Sequence, residues 1–152
     1  MEPIILAYVG AALMMALPGV GSAYGFAICG NAAVGALKKE PSGFGKYLVL
    51  SGMPSSNGLY GFVAFFITLG HLQPHYYDIN YVQAGAIFGS GLILGLVSMF
   101  AAIKQAEICA SGIASIASGQ PVLGNTLILA AFPEFFAILS LLCMILITGA
   151  VF

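Results

Sequence analysis

Residues 28–41 read ICGNAAVGALKKEP and residues 108–121 read ICASGIASIASGQP. The two stretches align without a gap on Ile-Cys at one end and on proline at the other, at an offset of 80 residues. After a one-residue deletion the register continues: Gly45 falls on Gly124, Pro54 on Pro133, and PSSNGLYG from Pro54 on PEFFAILS from Pro133. The chain therefore reads as an internal duplication, in which Ser55 of the first half corresponds to Glu134 of the second.

The repeated unit is a pair of membrane helices. Of 152 residues, 61% are hydrophobic and 6% charged, and the mean hydropathy is +1.05; a soluble domain carries roughly 25% charged residues. Apolar segments long enough to span a bilayer, which takes about 20 helical residues, run from Ile4 to Leu37, Tyr47 to Gly70, Tyr81 to Ser118 and Val122 to Phe152. KKEPSGFGK, HLQPHYYDIN and SGQP separate them, each with proline and turn-forming residues that stop a helix. The expected fold is an all-α membrane protein of four transmembrane helices in two tandem hairpins. It forms a single membrane domain over 1–152, with the first hairpin in 1–70 and the second in 81–152. An even number of crossings separates equivalent helices, so the repeat is parallel rather than inverted.

Lys38, Lys39 and Lys46 cluster in the first loop, and the positive-inside rule places that loop and the Gln120-Pro121 loop in the cytoplasm of a cell-membrane protein. Both termini and the loop from His71 to Asn80 then face outward. MEPIILAYVG has Glu2 where a signal peptide needs positive charge, and its apolar run outlasts signal length, so the segment reads as retained. Four lysines against five acids leave no basic field for nucleic acid. Cys29, Cys109 and Cys143 lie in apolar runs without metal or disulfide spacing and read as small hydrophobes.

Small residues mark the first and third helices. Gly21, Gly25, Cys29 and Ala32 form one stripe; Gly85 with Gly89 and Gly91 with Gly95 are G-x-x-x-G pairs. Such residues let backbones approach closely where lipid offers no hydrophobic drive for association, so these helices should pack tightly. Gly19, Gly21 and Gly25 also mimic a dinucleotide fingerprint, but no strand precedes them and the motif has no meaning outside a βαβ unit.

An ionised carboxylate inside a bilayer costs several kcal/mol on most scales and is protonated, paired or ion-bound. Glu134 lies 13 residues beyond Pro121, about 20 Å at about 1.5 Å per residue, well inside the membrane. Gln105 reaches a comparable depth on the third helix. On the second, Met53, Ser56, Asn57 and Tyr60 follow the i, i+3, i+4, i+7 spacing of one face, just after Pro54. Pro54 adds a further oxygen, because its missing N–H leaves a carbonyl of the preceding turn without its helical partner. These oxygens at one depth read as a cation site. A proton carrier needs only the carboxylate and a partner, whereas a hard alkali cation needs several oxygens to replace its water. The surplus favours Na+ over H+, with H+ as the alternative and no organic cofactor implied.

The two-hairpin layout, PSSNGLYG from Pro54 to Gly61 with its GLYGF run from Gly58 to Phe62, Gln105 and the single last-helix carboxylate Glu134 resemble the proteolipid rotor subunit, known as K or c, of V-type and A-type ATPases. The likeness is strongest to its Na+-translocating bacterial form and covers essentially the whole chain. It implies the Met53 carbonyl, Ser56 hydroxyl, Asn57 and Gln105 amides and Glu134 carboxylate as Na+ ligands, with Tyr60 hydrogen-bonded to the carboxylate. Ser56 stands where threonine is common, and Asn57 where glutamine is common. The resemblance further implies a homo-oligomeric ring in lipid, turning against a stator subunit that carries a basic residue and joined to central-stalk subunits. By itself such a chain is no enzyme. Coupled to ATP hydrolysis or synthesis in the complex, it moves ions.

The main rival is a small four-helix secondary transporter of the multidrug or cation-antiporter type, which also centres on one membrane glutamate; such chains are typically shorter, with the acid in the first helix and no duplicated hairpin. A passive channel would line a whole face with polar groups, and here they gather at one depth. Lys104 and Glu107, spaced i, i+3, are expected to pair locally, with a second relay carboxylate at Glu107 as the lesser reading. His71, His75 and Asp78 read as a solvated exterior loop rather than a metal site. Phe132, Phe135, Phe136 and the tail from Leu139 to Leu146 read as lipid-facing or inter-subunit packing.

Overall fold

Proline opens the first helix. Pro3 occupies its first turn, where a missing N–H costs nothing, and α1 runs Pro3–Leu37. The computed structural model describes residues 2–152, and no strand occurs among them. A 3-10 turn over Pro41–Gly43 reverses the chain into α2, Phe44–Gly52, which is followed by α3, Ser55–Leu72. Helix α4 covers Tyr81–Ala117 and α5 covers Leu123–Val151. Two helical hairpins therefore follow one another, as the alternation of apolar segments and turns predicts.

The loops show why the helices stop where they do. Asn80 caps α4 reciprocally with Gln83: the Asn80 side chain accepts from Gln83 N–H and the Gln83 side chain from Asn80 N–H, each at 3.0 Å. At its far end α4 closes on Gly119, at φ 88°, the conformation in which glycine carries no steric penalty. Gly119 N–H and Gln120 N–H turn back to the carbonyls of Ile116 and Ser115. Gln83 Nε2 also donates to Val151 O at 2.9 Å, tying the start of α4 to the end of α5.

The second span departs from the single run over Tyr47–Gly70 that the sequence predicts. It is built from two pieces, α2 and α3, interrupted at Met53 and Pro54. Both residues keep right-handed helical dihedrals, so the break lies in the hydrogen bonding rather than in the path of the chain. Pro54 has no N–H to give the preceding turn. In consequence, among the described residues, only α1, α4 and α5 are each long and apolar enough to cross a membrane as single helices.

Helices α1 and α4 form the centre. Buried positions 7, 11, 14, 18, 21 and 25 of α1 and 84, 87, 91, 94, 98, 101 and 105 of α4 alternate in steps of three and four, the rhythm of helices packed side by side at a shallow angle. A Cβ on Gly21 would lie 2.6 Å from Met99 Cα, so the backbones touch within the small-residue stripe, and one on Gly10, outside that stripe, would lie 2.5 Å from Phe88 Cα. Of the two G-x-x-x-G pairs on α4, only Gly91 and Gly95 meet α1. Gly85 and Gly89 have open space beside them, because they lie around the helix from that seam. Ala32 is likewise only partly buried at the end of the stripe.

Two apolar clusters make the core. One gathers Ala7, Met14, Ala64, Leu72, Leu94 and Met144, the other Cys29, Tyr47, Leu50, Cys109, Ile113 and Ala130. Along α3 and α4 the fully buried polar residues Asn57 and Gln105 fall between them.

Candidate functional site around Glu134

Three helices bring the polar layer together. Helix α5 presents Glu134 directly after Pro133, which lies inside the helix. Helix α4 presents Gln105, and the first turns of α3 present Ser56, Asn57 and Tyr60. Tyr60 Oη donates to Glu134 Oε1 at 2.6 Å, and Gln105 Nε2 donates to Glu134 Oε2 at 2.9 Å. The same Gln105 nitrogen reaches Ala130 O at 3.1 Å, and Asn57 Nδ2 donates to Gln105 Oε1 at 3.0 Å. Asn57, Gln105, Glu134 and Tyr60 are thus one connected chain of hydrogen bonds.

Each carboxylate oxygen of Glu134 accepts one side-chain donor, an arrangement suited to the ionised group. Asn57 Oδ1 is buried and has no hydrogen-bond partner. Leaving a buried acceptor unpaired costs about 1–3 kcal/mol, so this atom calls for a donor or a cation.

Ser56 lies beside the Glu134 carboxylate, but its hydroxyl donates to Met53 O at 2.9 Å, and Ser56 N–H reaches that carbonyl at 3.2 Å. The Met53 carbonyl is therefore presented at the break in the second span, one turn before Asn57. All six sequence-predicted residues sit in or next to one cluster. Asn57, one methylene shorter than glutamine, still reaches Gln105.

The surroundings are apolar and open on one side. Phe132, Phe135 and Phe136 are exposed on α5. A groove of about 850 Å³ between α4 and α5 is lined by Phe100, Lys104, Phe132, Pro133 and Phe136 among others. Lys104 Nζ binds both oxygens of Glu107, at 3.0 and 2.9 Å, with the two side chains 62% and 51% exposed. This is the local pair that the i, i+3 spacing predicts. His71 lies in the last turn of α3 rather than in the loop where the sequence places it, and only His75 belongs to the loop; their Nδ1 atoms meet the carbonyls of Ile67 and His71, and both rings lie tilted against Phe152. No group of three metal-ligating His, Cys, Asp or Glu side chains occurs among the described residues.

Sequence reasoning missed Ser22 on α1, whose hydroxyl bonds the backbone of the Pro54–Gly58 turn, and the Ala130 carbonyl on α5. The signal for Ser22 was a hydroxyl in an almost wholly apolar helix, one position past Gly21. Nothing in one sequence marks a backbone carbonyl such as that of Ala130.

The profile of the ATP synthase C-subunit family matches this chain twice, over residues 9–68 and 88–147. A-type ATP synthase subunit K of Methanocaldococcus jannaschii is 32% identical over 151 residues, 99% of this chain and 65% of that protein. V-type sodium ATPase subunit K of Enterococcus hirae is 34% identical over 122 residues, 80% of this chain and 76% of that protein. The chain belongs to the ATP synthase C-subunit family, as a V/A-type proteolipid. It spans about two thirds of the length of the Methanocaldococcus relative.

The proteolipid is a multi-pass membrane protein whose two family matches lie 79 residues apart, from 9 to 88 and from 68 to 147. That is the offset at which Pro54 pairs with Pro133 and Ser55 with Glu134. In the first copy of the unit, therefore, the position of the carboxylate is filled by a hydroxyl.

Proposed function

We propose that this proteolipid is the membrane rotor subunit of a V/A-type rotary ATPase and carries Na+ at Glu134. Copies would close into a ring that turns against a stator subunit presenting a basic residue and is joined to the central stalk. The chain performs no phosphoryl chemistry. Its task is to hold one cation per subunit during the turn and release it where the stator's charge competes for Glu134. Transferring one charge through the membrane potential involves about 2.3 kcal/mol per 100 mV, so several ions share the energy of each ATP.

The observation that carries the choice of ion is the excess of acceptors. The cluster that holds the two Glu134 oxygens also contains the unpaired Asn57 Oδ1 and, already engaged in hydrogen bonds, Gln105 Oε1, the Ser56 hydroxyl and the Met53 carbonyl. A proton satisfies one oxygen and leaves Asn57 Oδ1 buried and alone. A hard cation draws on all of them. The ion name borne by the Enterococcus relative points the same way. Lys38, Lys39 and Lys46 support a cytoplasmic α1–α2 loop, with the α4–α5 loop on the same side.

Labelling with a hydrophobic carbodiimide, which attacks protonated carboxyls buried in lipid, tests both residue and ion. We expect Glu134 to be modified, Na+ to protect it at neutral pH, and Glu134→Gln to abolish labelling and ATP-driven transport in reconstituted vesicles. Labelling governed by pH and indifferent to Na+ would assign the same site to protons. Transport surviving in Glu134→Gln would remove the site altogether, and purification as a dimer rather than a many-copy ring would favour a secondary transporter.

A further inference from the structure

Residues 54–61 bear most of the site, and α1 grips them at successive places. Pro18 packs on Gly61, where an added Cβ would lie 2.9 Å from Pro18 Cγ; Gly25 makes room for Pro54, since a Cβ there would stand 2.7 Å from Pro54 Cβ. Between these contacts Ser22 Oγ donates to Pro54 O at 2.8 Å and accepts from Gly58 N–H at 2.8 Å. Gly58 admits the hydroxyl because it has no side chain: a Cβ would be 3.0 Å from Ser22 Oγ. Positions 18, 22 and 25 share one face of α1 and meet 61, 58 and 54 in antiparallel order.

The carbonyl of Pro54 and the amide of Gly58 are the i, i+4 pair that opens α3, and Ser56 and Asn57 ride on the turn between them. Proline has already deprived this part of the span of one ladder bond. A hydroxyl from a neighbouring helix engaging the ladder supplies a restraint from outside and sets the local path of the chain. We infer that Ser22 is a positioning residue of the ion site, which holds the Pro54–Gly58 turn so that Ser56 and Asn57 face Gln105 and Glu134. The inference rests on the reading of that cluster as a cation site. Ser22 itself spends both hydrogen bonds on backbone.

Removing the hydroxyl leaves an amide and a carbonyl that can close on one another as an ordinary helical pair. Ser22→Ala should therefore fold and assemble, with its turn displaced. The test measures the Na+ concentration that half-protects Glu134 from carbodiimide in the assembled protein. For Ser22→Ala we expect a rise of about three- to tenfold, the scale of one hydrogen bond. Ser22→Thr, which keeps the hydroxyl, should stay within about twofold of wild type on the same scale. Thr68→Val removes another hydroxyl from the α1–α3 contact, where Thr68 meets Met14 Sδ, about 15 Å further along α3. It should leave the Na+ midpoint unchanged.

An unchanged midpoint in Ser22→Ala, or an equal rise in Thr68→Val, overturns the positioning role. If wild-type labelling ignores Na+, the sodium reading fails separately. The pH midpoint of labelling then becomes the readout, and a Ser22→Ala midpoint equal to wild type overturns the role of Ser22 in turn. Should Ser22→Ala fail to assemble, Gly58→Ala presses a methyl against the same hydroxyl and must raise the midpoint for the inference to stand.

Discussion

Tyr60 holds one oxygen of Glu134 at 2.6 Å and Gln105 holds the other. A hydrogen bond to a charged group is worth about 1.5–3 kcal/mol, so Tyr60→Phe should raise the Na+ needed for half-protection by about tenfold or more while leaving Glu134 labelled. Labelling lost altogether would mean that Tyr60 shapes the pocket rather than the carboxylate. A second carboxylate has its own arrangement in the α1–α2 turn. Glu40 accepts from the Ser42 hydroxyl and from Ser42 N–H, the latter at 3.1 Å, and these two bonds hold its pKa below the ordinary carboxylate value. Since the folded value is the lower one, this stabilisation is present above the unfolded pKa and is lost as pH falls through the folded one. Ser42→Ala should move the Glu40 titration upward, as read from its carboxyl carbon resonance in detergent; an unmoved resonance would break the link.

The central pair of helices depends on backbone contact, and contact of that kind tolerates no added volume. Gly21→Leu would force a side chain into Met99 Cα, and overpacking of this kind costs about 1–3 kcal/mol or more. We expect loss of the detergent-resistant oligomer on gels, with Gly85→Leu, at a position facing open space within the chain, tolerated better by the hairpin fold itself. The apolar runs and their proline-rich interruptions made the helices legible in sequence, and the match of Gly45 with Gly124 and Pro54 with Pro133 made their pairing legible too. Composition was blind to the split of the second span. Pro54 marked a lost bond, but the neighbouring helix whose Ser22 holds the turn after it is distant in sequence. The choice between the glycine pairs of α4 was hidden for a related reason: Gly89 and Gly91 are two residues apart and so point to different sides of a helix, and sequence does not say which side faces α1.

For the whole molecule, the gathering of these residues into one candidate site was largely readable because they are polar residues at one depth of an apolar chain, where each such residue demands an explanation. Its wiring was less so. That Asn57 donates to Gln105, and Gln105 to Glu134, follows from how α3, α4 and α5 meet. The Lys104–Glu107 pair is the largest concession to polarity on the outer surface of α4, one and two positions from Gln105 along the chain. The pair is a zwitterion and contributes no net charge. Lys104→Met would leave each subunit with an uncompensated negative charge, and Glu107→Gln with a positive one. In a closed circle such charges repeat with every copy, so the field at each proposed ion site is a sum over neighbours in a medium of low dielectric constant. The first variant should tighten Na+ binding and the second weaken it, each by about two- to fivefold at low salt. In mixed assemblies the Na+ midpoint of the unaltered subunits themselves should shift with the fraction of altered neighbours, a collective titration that a set of independent sites would not display.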